Sequence, residues 1–120
     1  MRLTEFGNDQ GHPTIEDVKK DHPEIYSFMD RMIGYMALEQ QTVVEMFDSV
    51  GAHHVILSIK PSLSLNSTES KLQQEKVEYE RTKMAGGDII AGTLPFAKFR
   101  VKNDDRFGNS TEQWSFELSQ

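Results

Sequence analysis

Three basic side chains alternate along one predicted strand near the C-terminus of a chain whose net charge is −6. Lys98, Arg100 and Lys102 have the same parity, so in a strand they point to one face. Phe96 precedes this strand, and Arg106 and Phe107 follow it in the next predicted turn. Basic groups beside aromatic rings can hold a phosphate and stack a base, which makes this set a candidate site for a small anionic ligand such as a nucleotide. The alternative is a solvated strand face whose basic residues pair with Glu112 and Glu117 across a hairpin.

The histidines do not have the spacing of a metal site. His53 and His54 are adjacent and would point to opposite faces of a strand, and neither His12 nor His22 has a histidine four positions away. No cysteine is present, which excludes disulfides, thiolate nucleophiles and cysteine-ligated zinc. The glycine-containing stretch at 86–93 lacks the spacing of a phosphate-binding loop. We therefore expect neither a metal nor a cofactor.

A periodic row of apolar residues surrounds Glu39. Successive members of the row are alternately four and three positions apart. Its apolar members are Ile25, Met29, Met32, Met36, Val43, Met46 and Val50. Glu39 interrupts the row, and Gln40 lies beside it. Burying a carboxylate among apolar side chains costs free energy unless the carboxylate is paired. A polar residue at such a position can, however, set the register of paired helices. As a general acid, Glu39 would need a partner group that the pattern does not supply. We therefore expect no catalytic residue and no enzyme activity.

This row predicts one long helix from Asp21 to Val50. Pro23 suits the first helical turn, and Gly51 lies where a C-terminal cap belongs. A helix of this length would be roughly 45 Å long, more than a small sheet can cover. The row therefore predicts an oligomer or partner interface formed by Met29, Met32, Met36, Glu39, Gln40, Val43 and Met46. Alternatively, the same methionines fill the core of the chain itself.

Alternating patterns predict strands after residue 51. Val55, Leu57 and Ile59 share one parity, and Pro61 favours either an edge position for their strand or a bulge at the proline. Residues 97–102 and 113–118 have matching apolar faces and predict a hairpin. Helix, hairpin strand and polar loop all remain open for residues 66–85, because good helix formers occur there without a single apolar face.

These elements predict an α+β fold with one long N-terminal helix packed on an antiparallel sheet of three to four strands, which ends in a C-terminal β-hairpin. Residues 1–13 are rich in glycine and polar residues and are predicted to form a flexible arm. Residues 14–120 are predicted to form a single domain.

Composition limits the kind of partner. A sequence pI near 5.1 argues against binding to duplex nucleic acid, and no apolar run is long enough to cross a membrane. No secretory signal pattern occurs at the N-terminus, so we expect a cytoplasmic protein.

The sequence as a whole predicts a small, acidic, non-enzymatic interaction protein. It would form a homo-oligomer such as a dimer, or dock on a protein partner, through the methionine-rich helix. Its size and composition are typical of accessory or inhibitor proteins of phages and other mobile elements. The alternative is a small-molecule binding protein that captures an anionic ligand on the basic hairpin face.

Overall fold

Three short helices form the N-terminal part of the chain. The structure is a computed structural model that describes residues 12–60, 64–104 and 111–119. The helices are α1 (Ile15–Asp21), α2 (Pro23–Ile33) and α3 (Tyr35–Gln41). The prediction of one helix from Asp21 to Val50 is therefore wrong. No helix in the described ranges has the length and apolar character needed to cross a bilayer.

The predicted long helix is interrupted at three places. His22 leaves the helical region between α1 and α2, with φ −136° and ψ 63°. Gly34 ends α2 because it adopts φ 88° and ψ 145°, a conformation that a residue with a side chain rarely takes. At Thr42 the chain becomes a strand, where consecutive β-branched residues favour extended backbone and pair with the next strand.

All the strands that the structure describes belong to one antiparallel sheet. They are β1 (Thr42–Ser49), β2 (Ala52–Ile59), β3 (Glu78–Met84), β4 (Gly87–Leu94), β5 (Ala97–Asp104) and β6 (Thr111–Ser119). Their spatial order is β1-β2-β6-β5-β4-β3, with β1 and β3 at the edges. The expected sheet of three to four strands is wrong, because β1 was assigned to the long helix and β3 lies in the ambiguous stretch.

The ambiguous stretch contains both a helix and a strand. Helix α4 (Leu65–Gln74) begins after Ser64, whose hydroxyl oxygen accepts a hydrogen bond from the Ser67 amide at 3.1 Å. Lys76 adopts φ 59°, which ends the helical segment, and β3 follows from Glu78. The good helix formers therefore account for the first half of the stretch only.

The core lies between the helices and one face of the sheet, which we call the inner face. Its centre is formed by aromatic rings from α2, β5 and β6. Phe28 of α2 lies 5.9 Å from Trp114 and 6.1 Å from Phe99, measured between ring centroids, and 6.4 Å from Phe116. All four side chains are almost completely buried. The opposite, outer face of the sheet is not covered by any described helix.

Gly92 provides space for this aromatic cluster. It pairs with Phe99 on the neighbouring strand, and a Cβ atom at position 92 would lie 2.6 Å from Phe99 Cζ and closer still to the Glu78 carbonyl oxygen. We expect Gly92→Ala to lower the free energy of unfolding by about 1–3 kcal/mol, the usual cost of overpacking. Urea denaturation measures this loss. Gly86→Ala is the control, since nothing lies within 4 Å of a Cβ there, and equal losses in both variants would contradict this account.

The β1–β2 turn contains a poorly suited residue. Val50 and Gly51 adopt φ 52° and 74°, the pattern of a tight turn that favours Asn-Gly, and the Val50 side chain is 99% exposed. Since left-handed backbone costs roughly 1–2 kcal/mol for most residues, Val50→Asn should raise the free energy of unfolding by about 1 kcal/mol. Thermal and urea denaturation test this. Val43→Asn, in extended backbone on the same hairpin, should give no gain, and a gain there equal to that at position 50 would refute the turn explanation.

Candidate functional site

The outer face of the sheet carries a basic strip across its middle. Lys98, Arg100 and Lys102 lie on β5, on the side opposite to the buried Phe99 and Val101, and all three are exposed. Strand alternation thus places these cations on one face, as their spacing predicts.

A shallow groove of about 670 Å³ follows part of this strip. Lys98 and Arg100 line it, together with Ser115 of β6 and with His54 and Ile56 of β2. The residues that flank Arg100 across the ladder are small, Ala91 on one side and Ser115 on the other. The small side chains on both sides of Arg100 leave space for the groove.

No carboxylate forms an ion pair with Lys98, Arg100 or Lys102 in the described part of the chain. Glu117 is the cross-strand neighbour of Lys98, but the pair is not within ion-pair distance. Glu112 lies on the inner face and is buried. The alternative in which both glutamates neutralise the strip is therefore not what the structure shows.

The predicted ligand-binding residues do not all come together. Phe96 is half-buried and lines a separate depression with Pro23, Ser27 and Arg31 on the helical side. Arg106 and Phe107 lie outside the described residues. Lys102 shares the face but does not line the groove.

The predicted interface residues are also divided between core and surface. Met29 and Met32 are buried in the core of this same chain, while Met46 packs partly against it from β1. Met36 and Val43 are exposed. The row of apolar residues therefore lies mainly in the core at its N-terminal end and mainly at the surface farther along.

Glu39 and Gln40 lie on the exposed side of α3. The Tyr26 hydroxyl donates a hydrogen bond of 2.5 Å to Glu39 Oε2, and Lys19 Nζ is 3.8 Å from the same oxygen. The hydrogen bond to Glu39 raises the pKa of Tyr26 to about 12. Glu39 thus joins α1, α2 and α3 through polar contacts, and it does not lie in an apolar seam.

Apolar side chains are exposed mainly near one edge of the sheet. The large exposed apolar residues in the described ranges are Tyr35, Met36, Val43, Phe47, Val50 and Met84. All except Met84 come from α3, β1 and the turn after it. β1 has only β2 as a neighbour within the described sheet, so the apolar stretch borders an open strand edge.

The opposite edge, β3, is polar and tied to a helix. Arg81 donates hydrogen bonds to Asp88 Oδ2 at 2.8 Å, to Asn66 Oδ1 at 2.7 Å and to Glu69 Oε1 at 3.1 Å. The Tyr79 hydroxyl also donates to Glu69, at 2.8 Å. Hydrogen bonds from Tyr79 and Arg81 lower the pKa of Glu69. The network connects α4 to the sheet edge.

Two histidines form a further polar cluster. The rings of His22 and His53 stack with centroids 5.0 Å apart, and His53 Nδ1 lies 2.6 Å from Asp48 Oδ1. Burial lowers the pKa of His22, the nearby His53 lowers it further, and Asp21 acts in the opposite direction. The described residues contain no group of three or more potential ligands that could hold a metal ion.

Glu112 is a buried carboxyl group that the sequence interpretation placed on the wrong face. It is 1% exposed, and it accepts hydrogen bonds from Thr68 Oγ1 at 2.6 Å and from Trp114 Nε1 at 3.1 Å. Burial raises the pKa of Glu112, although both hydrogen bonds act in the opposite direction. The sequence does contain a signal for this inward direction, because Glu112 has the same parity as the inward-facing Trp114 and Phe116.

Comparisons with known proteins do not place the chain in a family. No family model matches the sequence, no curated protein matches it, and no solved structure matches its fold. Function must therefore be inferred from the geometry and chemistry of the chain's own surfaces.

We expect Glu112 to make stability fall as pH rises above about 4.5, the ordinary pKa of glutamate. Because its folded pKa is raised, the native state retains a proton that the unfolded chain has lost, until pH exceeds the folded pKa. Glu112→Gln should remove this contribution, so the difference in free energy of unfolding between the variant and the wild type should change with pH in that window. Urea denaturation from pH 4 to 8 measures it, and a constant difference would contradict the raised pKa.

Proposed function

We propose that the chain is a non-enzymatic interaction protein that forms a homodimer by pairing the β1 edges of two copies. The observation that supports this proposal most strongly is the contrast between the two sheet edges. β3 carries charged residues and is tied to α4, which is how proteins usually protect an edge, whereas β1 presents Val43 and Phe47 beside its free backbone. The contact element is therefore β1 and not the predicted methionine-rich helix. The expected cytoplasmic location is kept as part of the proposal.

A second copy of β1 is the occupant that fits this edge by symmetry. Two identical strands pair antiparallel about a two-fold axis perpendicular to the sheet, so each supplies the backbone groups that the other lacks. Residues with the same parity then face each other, because the two-fold axis keeps each sheet face on its own side. A strand from a different protein could pair with this edge without being its own two-fold partner, so the match of β1 with itself favours a second copy of the chain.

Charge and strand length favour one register for this pairing. Centring the two-fold axis on Glu45 would place two carboxylates directly opposite each other, which is destabilising. Centring it on Val44 would leave fewer paired residues, because β1 begins at Thr42. With the axis on Met46, Glu45 faces Phe47 of the second copy and Val44 faces Asp48. This register pairs residues 43–49 without opposing carboxylates.

Phe47→Glu should weaken the dimer at least tenfold, equivalent to about 1.4 kcal/mol. The new carboxylate would lie opposite Glu45 of the second copy and would replace an exposed apolar ring. Sedimentation equilibrium over a concentration series measures the dissociation constant. Met84→Glu is the matched control, because Met84 is 55% exposed but lies on β3.

Two outcomes would refute the proposal: a wild-type chain that stays monomeric at high micromolar concentration, or equal weakening by the two variants. The register can be tested separately because the chain has no cysteine. Under oxidising conditions Met46→Cys should give a covalent dimer, since directly opposed residues have Cα atoms roughly 4.5–5.5 Å apart. Ser58→Cys, away from the edge on β2, should not.

A further inference from the structure

We propose that the groove on the outer sheet face binds a compact, hydroxyl-bearing phosphate ester, with its phosphate held by Arg100, Lys98 and the Ser115 hydroxyl. None of the residues that line this groove belongs to β1. It is assigned from the positions of two cations, from the small residues beside them and from the charges that surround the strip.

The spacing of the two cations suits a single phosphate group. Lys98 and Arg100 are two positions apart on β5, so their Cα atoms are separated by roughly 6.6 Å along the strand. Their long side chains can converge on one anion, with the guanidinium offering a two-pronged donor and the ammonium a mobile charge. Ser115, directly across from Arg100, adds a hydroxyl donor.

Within the described residues, neither cation of the groove is in ion-pair contact with a carboxylate. The whole chain nevertheless has a net charge of −6. A bound phosphate would supply the opposite charge to both at once. Charge-assisted hydrogen bonds of this kind are stronger than neutral ones, which favours phosphate over an uncharged ligand.

Glu117 determines the direction in which the ligand lies in the groove. It is one of the residues that line the groove and lies directly across from Lys98, so its negative charge would repel a second anionic group at that end. A ligand hydroxyl at that end can instead donate a hydrogen bond to it. Ile56 and Ala91 provide apolar contact near Arg100. The combination fits a phosphate at one end and hydroxyl groups at the other, as in a sugar phosphate.

The charges around the strip favour a compact ligand over a polyanion. By ladder register, Glu45 on β1 and Glu80 on β3 lie on the outer face, in the row that contains Arg100. An extended nucleic acid strand or an anionic bilayer that crossed the strip would meet these carboxylates on either side. A small ester contacts only the central cations.

Titration of the full chain with ribose 5-phosphate and with inorganic phosphate, followed by amide NMR shifts, tests the site. We expect saturable shifts on β5 and β6 with both probes, tighter binding of the sugar phosphate, and no such shifts with chloride at equal ionic strength. Arg100→Gln should weaken binding of both probes at least tenfold. Lys83→Gln is the matched control, since it makes the same charge change on β3 outside the groove, and it should change affinity less than twofold.

The inference would be overturned if phosphate shifted the spectrum no more than chloride, or if the two variants lost affinity equally, which would indicate unspecific charge attraction. Tighter binding of a short single-stranded oligonucleotide or of anionic lipid vesicles than of ribose 5-phosphate would also overturn it. Val43→Asn, which changes β1 away from the groove lining, should leave ribose 5-phosphate affinity unchanged. Failure of this site is therefore distinguishable from failure of the dimer.

Discussion

Packing of Phe28 against the aromatic rings of β5 and β6 is the contact on which the rest of the fold depends. It fixes α2 over the middle of the sheet, with Trp114 and Phe116 in edge-to-face contact with the Phe28 ring. Aromatic residues bury more apolar area than any other side chains, so this cluster contributes much of the hydrophobic stabilisation. Because the helices lie on one face only, the other face of the sheet is left for polar side chains.

The same one-sided packing explains why the two sheet edges differ. Helix α4 lies near β3 and β4, where Asn66 and Glu69 accept hydrogen bonds from the Arg81 side chain. On the other side, α3 runs directly into β1 and makes no comparable polar network with it in the described residues. β1 has β2 as its only strand neighbour in the described sheet, so its outward backbone groups have no strand partner.

Short-range patterns in the sequence predicted the C-terminal part well and the N-terminal part poorly. Alternation placed Lys98, Arg100 and Lys102 on one face because the period of a strand does not depend on its neighbours. The row through Met29, Met32 and Met36 predicts a helix that is too long. Its apolar spacing continues into β1, although the backbone changes from helix to strand at Thr42. Pairing with β2 across the turn at Val50 and Gly51 decides that change, and the helical spacing of apolar residues does not contain this information. The lack of an ion pair between Lys98 and Glu117 could not be predicted, because it depends on the distance between two side chains that are direct cross-strand neighbours.

The proposed dimer and the groove are geometrically compatible, and their combination has a consequence. A two-fold axis perpendicular to the sheet keeps both outer faces on the same side of a continuous sheet. The two grooves of a dimer would therefore open in the same direction, each with its own cationic strip. A molecule that carries two phosphate groups on a flexible chain could then engage both grooves, and the second contact would benefit from the effective concentration that the first creates. Dimerisation through the helical side would not produce this arrangement, because it would direct the outer faces away from each other.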